Sequence, residues 1–267
     1  MAAESNFFGE IALLITHYNR SQSLERLLKA FEDQHIGFNE IIVSDDCSKP
    51  EHINHLEQMK ARFGITLVLA GKNGGLANNI NKGQRAVRSP FTLYVQEDFI
   101  PTGRFYQSLK DGLALMKEDS EIDLVRFYAY RKHPYLVSEK YGFSEMKFHF
   151  WRLNAPQFTC YSDHPHLRRS NFLQRFGDYA EGIKSDRAEF RMVISFLQHK
   201  GKSLIHDDYR EIFLQENSAQ EPSQVARKKF RQKIQLTDSF MIGAIRSIYR
   251  NIKYRLDYIF LKPVKNE

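Results

Sequence analysis

The sequence contains no long hydrophobic run, and its 267 residues include only two cysteines, Cys47 and Cys160. A membrane-spanning helix needs about 20 mostly apolar residues in succession, so we expect none in this chain. Two cysteines cannot build a disulfide framework, which favours a reducing compartment such as the cytoplasm. Residues 1–5 place no basic segment before an apolar one, so we expect no secretory signal peptide either.

Two common phosphate-binding motifs are also missing. No GxGxxG follows the first apolar run and no Walker-type GxxxxGK[ST] occurs, which argues against dinucleotide-dependent redox chemistry and P-loop hydrolysis. The sequence is rich in apolar residues: 42% of the residues are hydrophobic, and 27% are charged. This composition predicts a globular protein with a substantial core.

The excess of positive charge lies at the C-terminal end. Lys and Arg number 39 against 32 Asp and Glu, which gives a net charge of +7. Residues 223–267 hold eleven of the basic residues and three of the acidic ones, so residues 1–222 carry 28 and 29, a net charge of −1. The larger part of the chain has no general attraction for a polyanion, and we expect no nucleic-acid partner.

Residues 223–267 follow Glu221-Pro222 and are predicted to form a basic helical extension. Apolar residues at spacings of three and four over residues 239–261 predict an amphipathic helix. Either this apolar stripe packs on the rest of the protein, or the helix lies on an anionic membrane surface with its aromatic residues near the headgroups. The stripe comprises Met241, Ile245, Ile248, Ile252, Leu256 and Ile259, and the aromatic residues are Tyr249, Tyr254, Tyr258 and Phe260.

The N-terminal half alternates predicted strands and helices. Apolar runs predict strands at residues 11–16, 40–46, 65–70 and 91–95, and helical periodicity predicts helices at residues 21–32, 50–62 and about 75–87. This order predicts an α/β fold with a mostly parallel, Rossmann-like sheet covered by helices on both faces.

Polar residues follow each of these strands, at 16–20, 44–46, 72–73 and 96–98. Ligands of parallel sheets bind beyond the carboxyl ends of the strands, so we expect these residues to share one site. For Asp45 or Asp46 taken alone, a helix cap or turn would be the simpler interpretation.

Four segments together resemble a known family. They are 14–20 (LITHYNR), 41–48 (IIVSDDCS), 73–83 (NGGLANNINKG) and 94–98 (YVQED). In order and spacing they resemble the nucleotide-sugar-binding half of family-2 glycosyltransferases, which have the GT-A fold. The resemblance is strongest over residues 9–105, weaker over 154–217, and does not reach the last 45 residues. It implies a donor-binding half at 1–105 and an acceptor-binding and catalytic-base half of the same domain at 106–222.

The resemblance implies roles for the strand-end residues. The donor would be a nucleotide sugar, with UDP the expected nucleotide and an Asp reading a base N–H. The fourth strand of the family ends in a DxD-like motif whose last Asp binds a divalent metal, Mn²⁺ or Mg²⁺, and Asp98 has that place here. Gln96 and Gln215 depart from the pattern, because relatives have an acid and a metal-binding His there. The implied donor contacts are Thr16, Tyr18, Asn19, Arg20, Asp45, Asp46, Asn73, Gly75, Asn81 and Glu97.

An inverting sugar transfer needs a carboxylate that takes the proton from the attacking acceptor hydroxyl. By its position at a helix start, Asp186 is the first candidate for this catalytic base, Glu189 the second and Glu181 the third. Asp186-Arg-Ala-Glu189 also has the pattern of a capping box, so a structural role stays open. The candidate acceptor contacts are His164, His166 and Arg168, which are otherwise ordinary polar loop residues.

The function we expect is metal-assisted, inverting transfer of a sugar from a nucleotide-sugar donor to a hydroxyl of a glycan or lipid-linked saccharide, at the cytoplasmic face of a membrane. One alternative is a non-catalytic glycosyltransferase-like binding module with a degenerate metal site, which Gln96 and Gln215 keep open. Another is a nucleotidyltransferase, which residues 16–20 disfavour because they form no glycine-rich basic phosphate loop.

Overall fold

The computed structural model of the chain describes residues 6–216 and 240–263. The helices are α1 Ser21–Asp33, α2 Pro50–Phe63, α3 Gly75–Ala86, α4 Phe105–Glu118, α5 Phe172–Phe176, α6 Ser185–Gln198 and α7 Phe240–Phe260. The strands are β1 Asn6–His17, β2 Ile36–Asp45, β3 Ile65–Leu69, β4 Phe91–Gln96, β5 Phe99–Pro101, β6 Ile122–Arg126, β7 Leu136–Ser138, β8 Phe143–Met146, β9 His166–Arg169, β10 Lys202–His206 and β11 Phe213–Gln215.

Nine strands form one sheet in the order β3-β2-β1-β4-β9-β6-β10-β8-β7. Strand β1 is parallel to β2 and β4, and β2 is parallel to β3, so the carboxyl ends of these four strands share one edge. Strand β9 is antiparallel to both β4 and β6, and β10 is parallel to β6. Strands β5 and β11 form a separate antiparallel pair beside the end of β4. The sheet is mostly parallel, as predicted.

The core lies on both faces of this sheet. On β1, Leu13 and Ile15 join the cluster that includes α1, α2 and α4, whereas Leu14 joins the cluster that includes α3, α5 and α6. Successive side chains of a strand point to opposite faces. The uninterrupted apolar run at residues 11–15 is therefore what a strand covered on both faces requires.

Helix α3 packs closely on the sheet at Gly83. A Cβ atom at this position would lie 2.6 Å from Leu14 Cδ1 and 2.8 Å from Ser44 Cβ. The Ser44 hydroxyl donates to the Asn79 carbonyl at 2.8 Å, which fixes the same contact one turn earlier. This close approach brings the start of α3 to the edge where β1 and β2 end.

Helix α7 contacts the rest of the protein through a face that the sequence did not indicate. The Tyr254 ring lies 4.4 Å from that of Phe190, and the Tyr258 ring lies 5.4 Å from that of Phe148. The predicted stripe faces away: Ile248, Ile252, Leu256 and Ile259 are all exposed. The packing of this stripe on the body was therefore a wrong expectation, and Tyr254 and Tyr258 are not available to a membrane. The side chains at 240–245, which include Met241 and Ile245, lie outside the described part.

Within residues 6–216 and 240–263, no helix has the length and apolar character needed to cross a membrane.

Candidate donor and catalytic site

Asp45, at the end of β2, ties together the loops that follow β1 and β2. His17 Nδ1 lies 2.7 Å from Asp45 Oδ2, and the Ser48 backbone N–H donates to Asp45 Oδ1 at 2.9 Å. Burial alone would raise the pKa of Asp45, but the hydrogen bonds from His17 and Ser48 outweigh it and lower the pKa. Asp45 is thus an ionised group whose oxygens are engaged within the protein.

Asp46 holds the glycine turn at the start of α3. Its Oδ1 and Oδ2 accept the backbone N–H groups of Gly74 at 2.7 Å and Gly75 at 2.8 Å. Gly75 has φ 80°, a conformation that glycine adopts without the strain a Cβ would bring. The capping interpretation of a strand-end Asp thus describes Asp46, which positions the segment predicted to close over the donor.

The other predicted donor contacts divide into two groups. Thr16, Tyr18, Asn19 and Asn73 lie at the strand-end edge, where the Thr16 hydroxyl is 3.0 Å from the Tyr94 hydroxyl and Asn19 Oδ1 accepts the Lys49 N–H at 2.8 Å. Asn81 does not face this edge freely. Its amide nitrogen donates to the Tyr179 carbonyl at 3.0 Å and to Glu181 at 2.9 Å, so it fixes the segment before α6.

Arg20, Glu97 and Asp98 form a charged group between the ends of β1 and β4. Arg20 Nη1 lies 3.3 Å from Glu97 Oε1 and 3.5 Å from Asp98 Oδ2, and all three side chains are largely buried. Burial, and after it the charge of Asp98, raises the pKa of Glu97 to about 7 although Arg20 opposes the shift. An additional cation bound beside Glu97 and Asp98 would be stabilised by their carboxyl groups.

Among the described residues, only one oxygen of Asp98 is hydrogen-bonded. Gln215 Nε2 donates to Asp98 Oδ2 at 3.0 Å, whereas Asp98 Oδ1 is buried and has no hydrogen-bond partner among the described residues. The described part contains no group of three or more His, Cys, Asp or Glu that could hold an ion. Mg²⁺ is often bound by one or two carboxylates together with substrate phosphates and water. Asp98 therefore fits a metal that binds together with a diphosphate, and not one that the protein holds alone.

Glu189, on the first turns of α6, is linked by hydrogen bonds to the end of β4. Glu189 Oε1 accepts the Ser162 hydroxyl at 2.7 Å and the Asp163 backbone N–H at 3.0 Å. The Asp163 carbonyl in turn accepts Gln96 Nε2 at 3.4 Å, beside Glu97 and Asp98. Asp186 lies exposed at the start of the same helix. These contacts do not form the predicted capping box, because α6 begins at Ser185 and Glu189 bonds to residues of another segment.

The three predicted acceptor contacts are separated by the fold. The half-buried His164 ring lies 4.5 Å from the Tyr130 ring and 6.0 Å from that of Phe99, which follows Asp98. His166 and Arg168 are on β9 inside the sheet and are fully buried. Their assignment as acceptor contacts is not supported, because an internal strand carries them into the core. Only His164 stays near the site.

A family assignment follows once this geometry is compared with known proteins. The model of the family described as "Glycosyl transferase family 2" matches residues 12–178, more than half of the chain. The chain belongs to glycosyl transferase family 2. The match confirms the predicted family and supports the predicted enzyme class, a transferase.

Relatives of this family-2 chain are distant. An uncharacterized glycosyltransferase of Haemophilus influenzae is 29% identical over 93 residues, which are 34% of this chain and 31% of that protein. The matched segment thus spans about a third of the relative's length.

Two solved structures resemble the family-2 chain in fold. Staphylococcus aureus TarS 1–349, in complex with UDP-GlcNAc, has a TM-score of 0.60 at 16% identity, covering 94% of this chain and 73% of that one. Mannosyltransferase PcManGT from Pyrobaculum calidifontis, in complex with GDP-Man and Mn²⁺, has a TM-score of 0.56 at 11% identity, covering 94% and 74%. These likenesses confirm the predicted GT-A-like α/β fold.

One buried carboxyl of this family-2 chain was missed by sequence reasoning. Asp163 Oδ1 accepts the hydroxyls of Tyr161 at 3.0 Å and Tyr179 at 2.9 Å, and burial raises its pKa well above the ordinary value. Its place next to His164 was the only available signal. The contact with Tyr179 depends on the fold, which no local pattern shows.

Proposed function

We propose that this protein transfers a sugar from a nucleoside-diphosphate sugar to an acceptor hydroxyl. The observation that carries the proposal is the arrangement of two chemically different ends of one site. At one end Asp98 Oδ1, buried beside Glu97 and Arg20, has no hydrogen-bond partner among the described residues, which suits a metal-bound diphosphate. At the other end Glu189 reaches the same strand end through Asp163 and Gln96, which suits a general base.

The donor class is supported by the residues and by the neighbours in fold. TarS 1–349 was solved with UDP-GlcNAc and PcManGT with GDP-Man and Mn²⁺, so both contain a nucleoside-diphosphate sugar. We propose a UDP-sugar for this chain, with a GDP-sugar as the second choice. The divalent metal would be Mn²⁺ or Mg²⁺, since oxygen ligands alone are offered.

In the proposed reaction Glu189 takes the proton of the acceptor hydroxyl. The acceptor oxygen attacks the anomeric carbon opposite the diphosphate, the bond from that carbon to the diphosphate oxygen breaks, and its electron pair leaves with the diphosphate, so the configuration inverts. A divalent ion, when bound, would neutralise the charge that develops on the leaving group. Asp98 would hold the ion, Arg20 fixes Glu97 and Asp98, and Asp46 fixes the glycine turn.

Glu189 replaces Asp186 as the first candidate for the base. Its Oε1 is bonded to the segment that also contacts Gln96, whereas Asp186 lies on the exposed start of α6. Glu181, the third candidate, bonds to Asn78 and Asn81 on α3. A base must lie within reach of the reacting hydroxyl, and Glu189 is the candidate that hydrogen bonds through Asp163 connect to Gln96, the residue before Glu97.

The acceptor would be a glycan or lipid-linked saccharide. His164 and Tyr130 lie ring to ring beside the site, and Tyr130 is 46% exposed. Burial lowers the pKa of His164 to about 3, so its ring is neutral at physiological pH. Neutral aromatic rings of this kind pack well on the apolar face of a sugar.

A second candidate, a non-catalytic nucleotide- or saccharide-binding module, is favoured by one contact. Gln215 Nε2 donates to Asp98 Oδ2, and Gln215 Oε1 accepts the Tyr130 hydroxyl at 2.6 Å. The Gln215 amide therefore engages one oxygen of Asp98, the carboxyl at the family's metal-binding position. This contact weakens metal binding.

The test is turnover with a matched pair of variants on α6. The purified protein is incubated with UDP-GlcNAc, UDP-glucose or GDP-mannose, Mn²⁺ and a panel of saccharide acceptors, and the released nucleoside diphosphate is separated by chromatography. Loss of a positioned base costs about 10²–10⁴ in rate, so Glu189→Gln should lose activity while Asp186→Asn stays near wild type. Loss in Asp186→Asn alone would reassign the base. Nucleotide binding without any turnover would favour the binding module.

A further inference from the structure

Helix α7 carries an apolar ridge that the described residues do not cover. The ridge consists of Ile248, Ile252, Leu256 and Ile259. Their spacing of four, four and three residues puts them on one face of the helix. Each of the four side chains is 50–60% exposed, whereas the opposite face holds Tyr254 and Tyr258 against the body.

A loop of the body extends this apolar surface. Trp151 is 88% and Leu153 is 74% exposed. Arg255 joins the loop to α7, since its Nε donates to the Phe150 carbonyl at 3.0 Å and its Nη2 to the Arg152 carbonyl. Ile252 precedes Arg255 by one turn and Ile259 follows it by one turn, so the loop runs beside the ridge. Contiguous apolar surface of this kind marks an interaction site.

Helix α7 and the residues after it are rich in basic side chains. Residues 240–263 contain five of them, Arg246, Arg250, Lys253, Arg255 and Lys262, against a single acid, Asp257. A basic helix with an apolar face and an adjoining tryptophan has the composition that binds at a bilayer interface.

We propose that the ridge, Trp151 and Leu153 form a docking surface for an anionic lipid bilayer. Helix α7 would lie in the plane of the interface, with the ridge and Trp151 among the upper acyl chains and the basic residues at the headgroups. Anionic lipids of the cytoplasmic leaflet supply the opposite charge. A second copy of the chain fits less well, because a two-fold interface would bring two copies of the same basic helix together.

Lipid binding at this surface is separable from the proposed transfer. The ridge lies on α7, and the nucleotide-binding residues lie at the ends of β1, β2 and β4. A ridge variant can therefore lose the membrane and keep its nucleotide, and a strand-end variant can do the reverse. The proposal of lipid binding and the proposal of sugar transfer can therefore fail independently of each other.

Trp151 is the only tryptophan of the chain, so its fluorescence reports this surface directly. The full chain is titrated with large unilamellar vesicles of phosphatidylcholine, with and without phosphatidylglycerol. We expect a blue shift of the emission and sedimentation with the anionic vesicles, at least about tenfold weaker binding to phosphatidylcholine alone, and progressive loss with added salt.

One variant and its control test the surface. Leu256→Glu should weaken binding to anionic vesicles by about tenfold or more, since it removes from the ridge a leucine that would be buried in the bilayer. Phe7→Glu is the matched control, because Phe7 is 59% exposed on β1, away from α7, and should bind as wild type does. Glutamate favours helix, so circular dichroism should show α7 intact.

Two results would overturn the proposal. Binding that ignores the lipid charge and survives Leu256→Glu would show that another part of the chain contacts the vesicles. A wild-type dimer in sedimentation velocity that Leu256→Glu dissociates, together with an unshifted Trp151 emission on vesicles, would assign the ridge to a second copy of the chain.

Discussion

Glu97 is a residue of the candidate site whose charge state changes near neutral pH. Its pKa is raised to about 7, chiefly by burial, so at neutral pH it holds a proton about half of the time. The folded pKa lies above that of the unfolded chain. Protonated Glu97 therefore contributes to stability at low pH, and this contribution is lost as the pH rises through about 7.

Binding of a metal and diphosphate next to Glu97 favours its ionised form. We predict that binding of UDP with Mn²⁺ releases up to one proton per site below pH 7, and none above about pH 8. Titration calorimetry in two buffers with different ionisation enthalpies measures the number of protons. Glu97→Gln should abolish the release, and an unchanged release in that variant would assign the proton to another group.

At the scale of elements, the seating of α3 on the sheet decides where the glycine turn lies. Gly83→Ala would place a Cβ 2.6 Å from Leu14 and 2.8 Å from Ser44. We predict a loss of about 1–3 kcal/mol in the free energy of unfolding, the usual cost of overpacking. Urea denaturation followed by far-UV circular dichroism measures it.

Gly103→Ala is the control for this prediction, because nothing lies within 4 Å of a Cβ there. It should change the free energy of unfolding by less than about 0.5 kcal/mol. Equal stability of the two variants would mean that α3 has room to shift away from β1 and β2.

The elements of the N-terminal half were predictable, whereas the short strands of the second half were not. The strand expected at 11–16 lies inside β1, and the helix expected at 21–32 is α1 within one residue. These segments have either an uninterrupted apolar run or clear helical periodicity. The strands β7, β8, β9 and β11 have three or four residues each, which is too short for any period to show.

The sequence likewise predicts only part of the candidate site. The strand-end positions of Asp46, Glu97 and Asp98 follow from the α/β pattern, because parallel strands end at a common edge. The choice of Glu189 over Asp186 does not follow, since it depends on Ser162 and Asp163, which come from a loop 26 and more residues away. Contacts between distant segments of irregular structure leave no local pattern in the sequence.

At the scale of the whole molecule, residues 1–105 and 106–222 share one sheet. Strand β9 from the second part lies between β4 and β6, so neither part has a complete sheet alone. We propose that they unfold as one domain. A single cooperative transition is expected in thermal denaturation, and saturating UDP with Mn²⁺ should raise its midpoint, by about 2.7 kcal/mol of added stability at 100 times the dissociation constant. Two transitions, of which nucleotide moves one, would contradict this.

The central claim is that the strand-end edge binds a nucleoside diphosphate together with a metal at Asp98. The most direct measurement is calorimetric titration of UDP and GDP into the purified protein, with and without Mn²⁺, repeated on Asp98→Ala and on Asp33→Ala, an exposed carboxylate at the far end of α1. We predict selective binding of one nucleotide, at least about tenfold tighter with Mn²⁺, with this gain lost in Asp98→Ala and kept in Asp33→Ala. No binding of either nucleotide, or a Mn²⁺ gain that survives in Asp98→Ala, would contradict the account.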